Sequence, residues 1–202
     1  ATDADKDAVT TTISTDLGGN VKFLDSTPVQ PDPVVVTGGG VMVTSDANTV
    51  GIANQTSTPV SFAASFLGAI TPNYSGDLNG SAKVDGWALS VSSEGVDSLL
   101  TSGGQHILLS FDNLTGKVYG IAAGAATAET VDGHSGVVFT IQVDSQGNVS
   151  ETQYGAIDHL PATGTSGTEQ VLGDGLVKLS ATYTATDADK DAVTTTISTD
   201  LG

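Results

Sequence analysis

Apolar residues in this chain come in short runs or alternate with polar ones at a period of two, the pattern of strands rather than helices. The clearest case is Leu176–Thr184, where Val177, Leu179, Ala181 and Tyr183 share one face and Leu176, Lys178, Ser180, Thr182 and Thr184 the other. Shorter runs predict strands at Ala8–Ser14, Val21–Leu24, Val60–Leu67, Trp87–Ser92, His106–Phe111, Lys117–Ala122, Val137–Val143 and Asn148–Tyr154. Turn residues separate them, most clearly at Asp112–Gly116 and Asp144–Gly147. Val34–Thr37 and Val41–Thr44 flank Gly38–Gly40 and read as a hairpin. Val96–Leu100 alone suggests a helical turn. Many short strands without an amphipathic helix predict an all-β fold, a β-sandwich, as one elongated sandwich or two lobes.

A repeat adds a second layer. Ala1–Gly18 (ATDADKDAVTTTISTDLG) returns letter for letter as Ala185–Gly202, so the chain is slightly more than one unit of a tandem array. Asp25–Pro33 holds three of the six prolines and reads as an extended junction between units. The expected organisation is 1–26 as the closing strands of a preceding repeat and 27–33 as the junction. Residues 34–202 are then a repeat stopping before its last strand, with 34–93 and 94–202 as the alternative sub-lobes.

Composition narrows the partners. The net charge is −17, from 23 acidic residues against six lysines and no arginine. Phosphate contacts need Lys and Arg, so neither nucleic acid nor an anionic bilayer is expected as a partner. No apolar run reaches membrane-spanning length, and no insertion by this stretch is expected. Without cysteine there are no disulfides or thiolate metal sites, so stability must come from the core or from bound cations.

The repeated stretch carries the densest charge, Asp3, Asp5 and Asp7, copied as Asp187, Asp189 and Asp191. In an extended strand, carboxylates at this spacing share a face about 6.6 Å apart. Their mutual repulsion is about 0.6 kcal/mol in water and about 2.5 kcal/mol at an effective dielectric near 20. An exposed cluster tolerates the first figure, whereas a partly buried one calls for a cation. Calcium, which takes six to eight oxygens, suits such residues. The loop is not an EF-hand, because Ala8 and Ser14 stand where its Gly and bidentate Glu belong. A solvated acidic turn and a calcium site at a strand–loop–strand junction both remain open. Asp158, Asp174 and the junction residue Asp25 are further candidate ligands.

Catalysis is not expected. His106, His134 and His159 are scattered without zinc-ligand spacing, and Gly133–Gly136 lacks the full nucleophile-elbow pattern.

Three blocks carry a family resemblance: GVDSLLTSGGQHILLSF from Gly95, GVVFTIQVDSQGNVSETQYGAIDHL from Gly136, and LVKLSATYTATDADKDAVTTTIS from Leu176. In this order they resemble the tandem Ig-like extender repeats of giant calcium-dependent RTX adhesins exported by type I secretion. The resemblance covers Gly95–Gly202 and Ala1–Leu24, with Val138–His159 as the central block and Thr186–Asp191 as the acidic loop. Lys6 and Lys190 replace the usual loop glycine. The glycine-rich nonapeptide of the secretion-signal region is absent. What the resemblance implies is a monomeric, non-catalytic spacer on the bacterial cell surface. It would contact neighbouring repeats of its own chain, be stiffened by Ca2+, and project a ligand-binding tip for adhesion and biofilm formation. The alternative is a calcium-dependent lectin-like module in which Trp87, Tyr74 or Tyr119 stacks on sugar; for a spacer, glycan binding is not expected.

Overall fold

Alternation is converted into two packed layers. In the computed structural model, which describes residues 1–15, 22–37, 39–45, 54–77, 79–159 and 169–202, the elements run as follows. β1 is Gln55–Thr56, β2 Val60–Ser61, α1 Ala63–Gly68, β3 Ser81–Val91, β4 Val96–Ser102 and β5 Gln105–Asp112. They are followed by β6 Lys117–Ile121, β7 Glu129–Val131, β8 His134–Val143, β9 Asn148–Gln153, β10 Val177–Thr186 and β11 Ala192–Asp200. The larger sheet has the order β1-β9-β8-β6-β5-β4, with β2 also on β9 and β7 on β8; the smaller is β11-β10-β3. All strand pairs are antiparallel. The fold is thus an all-β sandwich.

The inward face of β10 is the one its alternation predicts: Val177, Leu179, Ala181 and Tyr183 are all buried. They meet Ile107 and Leu109 of β5, Val118 of β6 and Val138 and Ile141 of β8 in a single apolar cluster. Burying such side chains stabilises by about 1.5–3 kcal/mol each. That cluster draws on both sides of residue 94, since Phe66 and Leu89 join it from the first part of the chain. β3, from the same part, pairs along the whole of β10.

Three local expectations differ from the structure. The apolar run at Val60–Leu67 is strand only at β2; it then turns into α1, because Phe62 and Phe66 sit four residues apart and fold onto one helical face. Their rings meet edge to face at 6.4 Å, and Phe66 lies 4.8 Å from Trp87. Val96–Leu100 is not a helical turn but the bulged part of β4. Leu99 takes a φ of 67°, held by its N–H on Asp97 Oδ1 at 2.9 Å, while Leu100 N–H donates to Ser98 Oγ at 3.2 Å. These side chains offer the backbone a local partner that mimics a turn.

The predicted hairpin of Val34–Thr37 and Val41–Thr44 includes Gly38, outside the described residues, and among the described residues no pairing links its two arms. Val34–Val36 instead runs parallel alongside β11, with Val36 N–H on Ser198 O at 2.7 Å and Ser198 N–H on Val34 O at 3.2 Å. Of Val21–Leu24, Val21 lies outside the described residues, and Phe23 and Leu24 are exposed without strand pairing. Among the described residues, Ala8–Ser14 forms no ladder beyond the bridge between Thr2 and Ala8.

Candidate metal centre at the β10–β11 turn

β10 and β11 form a hairpin paired from Lys178–Asp200 to Thr186–Ala192, and Asp187–Asp191 closes it. The turn is specified by its own residues. Asp187 N–H donates to Asp191 O at 3.0 Å, and Asp191 N–H returns to Asp187 Oδ1 at 2.8 Å. The reversal between them places Lys190 at a φ of 90°, the left-handed region that favours glycine. Lys190 thus adopts a conformation that glycine would take without strain.

The turn gathers charge at one end of the sandwich. One oxygen from each of Asp187, Asp189 and Asp191 lies within 4.8 Å of the others. Asp187 is only 2% exposed, and its Oδ2 is buried without any hydrogen-bond partner. An unpaired buried carboxylate oxygen is costly, and native structures supply it a proton, a donor or a cation.

Two further carboxylates arrive from elsewhere. Asp25, Asp77 and Asp189 form a second group within the same 4.8 Å limit. Asp25 is brought there by the leading segment, which is clasped by the loop before β3. Val29 N–H donates to Asn73 O at 2.9 Å, Ser75 Oγ to Thr27 O at 2.8 Å, and Ser26 Oγ to Asp77 Oδ2 at 3.0 Å. Gln30 Nε2 donates to Thr194 O, continuing the contact along β11.

The electrostatics follow from crowding. Burial, and then the neighbouring Asp189 carboxyl, push Asp187 above the ordinary carboxylate value. Asp25 is pushed up chiefly by its contact with Asp189. Asp189 is held below the ordinary value by its Asp187 and Asp25 neighbours, which retain their protons in its place. Without metal, protons take the place of a cation between these groups. The donors are all hard oxygen atoms, which suits calcium better than soft metals. With the orphaned Oδ2 of Asp187 among them, the residues present fit a calcium ion.

The other candidate ligands are placed differently. Asp3, Asp5 and Asp7 also lie within 4.8 Å of one another, but all three are exposed. Asp158 is occupied elsewhere: Gly103 and Gly104 N–H donate to its two oxygens at 2.9 and 2.7 Å, holding the β4–β5 turn and keeping its carboxyl below the ordinary value. Asp174 is exposed just before β10, at the far end of the hairpin, where Leu201 N–H meets Val177 O. Among the described residues, neither is in a carboxylate group of this kind. Asp77 is the residue that sequence reasoning did not single out. Only its turn context, Asn73–Asp77, was visible, and nothing in the spacing places that loop beside Asp189.

A second polar cluster joins the β5–β6 and β7–β8 turns. Asp132 Oδ2 accepts from Lys117 Nζ and from Tyr119 Oη, each at 2.8 Å, and His134 stacks on the Tyr119 ring at 4.3 Å. Its groups satisfy one another, and it acts as a latch between hairpins.

The chain is therefore an all-β sandwich with a carboxylate-rich hairpin turn at one end. It belongs to the family described as a domain of unknown function (DUF5801), which matches residues 41–202. No curated protein and no solved structure matches it. Among the described residues, no helix is long and apolar enough to cross a membrane.

Proposed function

We propose that the chain is a non-catalytic, calcium-stabilised extender repeat of a bacterial cell-surface adhesin. The observation that carries this reading is the Oδ2 of Asp187, buried and unpartnered among the turn carboxylates. Oxygen ligands with surplus negative charge at an extracellular surface are what a weak calcium site uses, and calcium of about millimolar concentration fills such sites.

The path of the chain supports a spacer. From Asp25 beside Asp189 to Val35 beside Ser198, the leading segment runs in the same direction as β11. It reaches the sandwich at the turn end, while Leu201 lies at the other, its N–H on Val177 O. Units threaded this way line up end to end, with the carboxylate turn at each junction. A cation there removes soft backbone freedom from the joint and stiffens the array.

Two of the three rings that a lectin would offer to sugar are spent on packing, with Tyr119 buried and Trp87 on Phe66 and over Gly147, while Tyr74 is half-buried at the edge of the core. Adhesion, secretion and surface location rest on the resemblance of the three sequence blocks. Adding calcium to chelator-treated protein should raise its melting temperature, and a melting curve indifferent to both reagents would refute the metal reading.

A further inference from the structure

Apolar side chains are held out into water at both ends of the sandwich. At the turn end, Phe23 and Leu24 directly precede Asp25 and are 94% and 92% exposed. At the far end, where β10 begins, Leu99 and Val171 are exposed beside the half-buried Leu176. Single apolar residues on a surface need no explanation, but groups of them mark contact surfaces.

Leu99 is the most informative of these. Its backbone is left-handed, with a φ of 67°, a conformation that bulky residues avoid, yet its side chain is 74% exposed. The bulge in β4 is fastened in that shape by the Asp97 and Ser98 side chains, and bulges re-aim side chains. Strain that holds a leucine in water gains nothing within one unit, and such strain gathers where a partner binds.

We infer that the far-end patch around Leu99 receives Phe23 and Leu24 of the next unit of the same chain, which rests on the reading of the chain as one unit of an array and adds an apolar contact that needs no cation. The repeat identifies the occupant. Gly202 is the copy of Gly18, and Phe23 follows Gly18 by five residues. Five residues span at most about 18 Å, so Phe23 of the next unit stays within that reach of Gly202. Gly202 belongs to the patch itself. It lies so close to the Gly173 carbonyl that a side chain on it would overlap that oxygen, and a side chain on Gly173 would collide with Leu99 and Leu176. Charge agrees with the placement, because Lys22 precedes Phe23 and the far end carries Asp174 and Asp200. From Asp25 onward the segment is clasped by its own sandwich through Ser26 and Thr27. Contact at Phe23 and Leu24 therefore fixes one sandwich against the next.

The test uses two successive units in calcium. Because residues 185–202 repeat 1–18, continuing the chain from Gly202 with residues 19–202 adds no new sequence at the seam. The chain has no cysteine, so a disulfide trap reports one chosen pair. Phe23→Cys in the second unit is combined with Leu99→Cys in the first, or with Ser92→Cys, an exposed position off the patch whose N–H meets Leu176 O at the same end. A docked contact should make the Leu99 pair oxidise at least about ten times faster than the Ser92 pair, beyond what the tether alone provides. Leu24→Ser in the second unit should remove most of that excess. All of these positions are exposed, so the fold survives the changes. Equal rates, or a faster Ser92 pair, would overturn the contact. Small-angle scattering of the unaltered two-unit chain then separates the two readings: an end-to-end shape leaves the spacer standing, and units lying side by side overturn it as well.

Discussion

The same eighteen residues occur twice, and the two copies separate what a sequence dictates locally from what packing adds. The turn forms in both. Asp3 N–H donates to Asp7 O at 3.1 Å and Asp7 N–H to Asp3 Oδ1 at 3.0 Å, as Asp187 and Asp191 do, and Lys6 takes a φ of 75° against 90° at Lys190. The strand that follows does not. Ala192–Asp200 pairs with β10 along its length, whereas among the described residues the equivalent Ala8–Thr15 pairs with no strand. Ile197 is fully buried and its twin Ile13 is 90% exposed. The chemistry diverges with the packing. Asp187 is pushed above the ordinary carboxylate value by burial, while Asp3 is held below it, chiefly by a hydrogen bond from Asp5. A turn is thus encoded by a few residues, but a cation-demanding carboxylate is made by the sheet behind it.

The comparison can be broken most forcefully in the core. Ile197→Ala should cost about 2–5 kcal/mol in a denaturant titration, and Ile13→Ala less than about 0.5 kcal/mol. Equal losses would mean that the first copy is packed as well as the second.

Acidity sharpens the same contrast with a smaller effect. In chelator, Asp187 and Asp25 have folded values above the ordinary one, so their stabilising contribution is present at low pH and lost as pH rises through those raised values. Glu151 on β9 adds to this, because burial pushes its carboxyl up to about 7. The chelated protein should therefore lose about 2–3 kcal/mol, mainly through Glu151, as the pH is raised from about 5 to 8. Below the ordinary carboxylate range the sign reverses, since Asp112, Asp132, Asp144 and Asp158 have lowered values and lose their contribution on protonation. Glu151→Gln should flatten most of the slope near neutrality and Asp187→Asn part of the rest; Asp3→Asn should leave it as it is. Thermal unfolding across pH measures all three.

The smallest effect concerns the turn alone. Lys190→Gly relieves a left-handed lysine but adds freedom to the unfolded chain, for a net gain of a few tenths of a kcal/mol. Lys6→Gly should leave global stability unchanged, because its turn is not part of the cooperative sandwich.

These contrasts also show which parts of the fold were legible. Period-two alternation located β10 and its buried face, and Asp, Asn and Gly located the tight turns, because both signals are local. α1 was hidden because a six-residue helix within an apolar run has too few positions to show a 3.6-residue period, and only the Phe62–Phe66 spacing hinted at it. The β4 bulge depends on side-chain acceptors at Asp97 and Ser98, which in sequence look like helix-compatible polar residues. Asp187, Asp189 and Asp191 were legible as a cluster, and Asp25 as a junction acid. That Asp77 joins them depends on a loop clasping the leading segment through Asn73 and Ser75. The burial of Asp187 depends on the strands around it. Neither is written in the spacing of the motif.

The central claim, that the turn backed by the sheet is a calcium site, is tested most directly by melting Asp187→Asn and Asp3→Asn beside wild type, in chelator and in calcium. At calcium about ten times the dissociation constant, wild type and Asp3→Asn should each gain about 1.4 kcal/mol. Asp187→Asn should lose that gain. An equal gain in all three proteins, or none in wild type, would contradict the account.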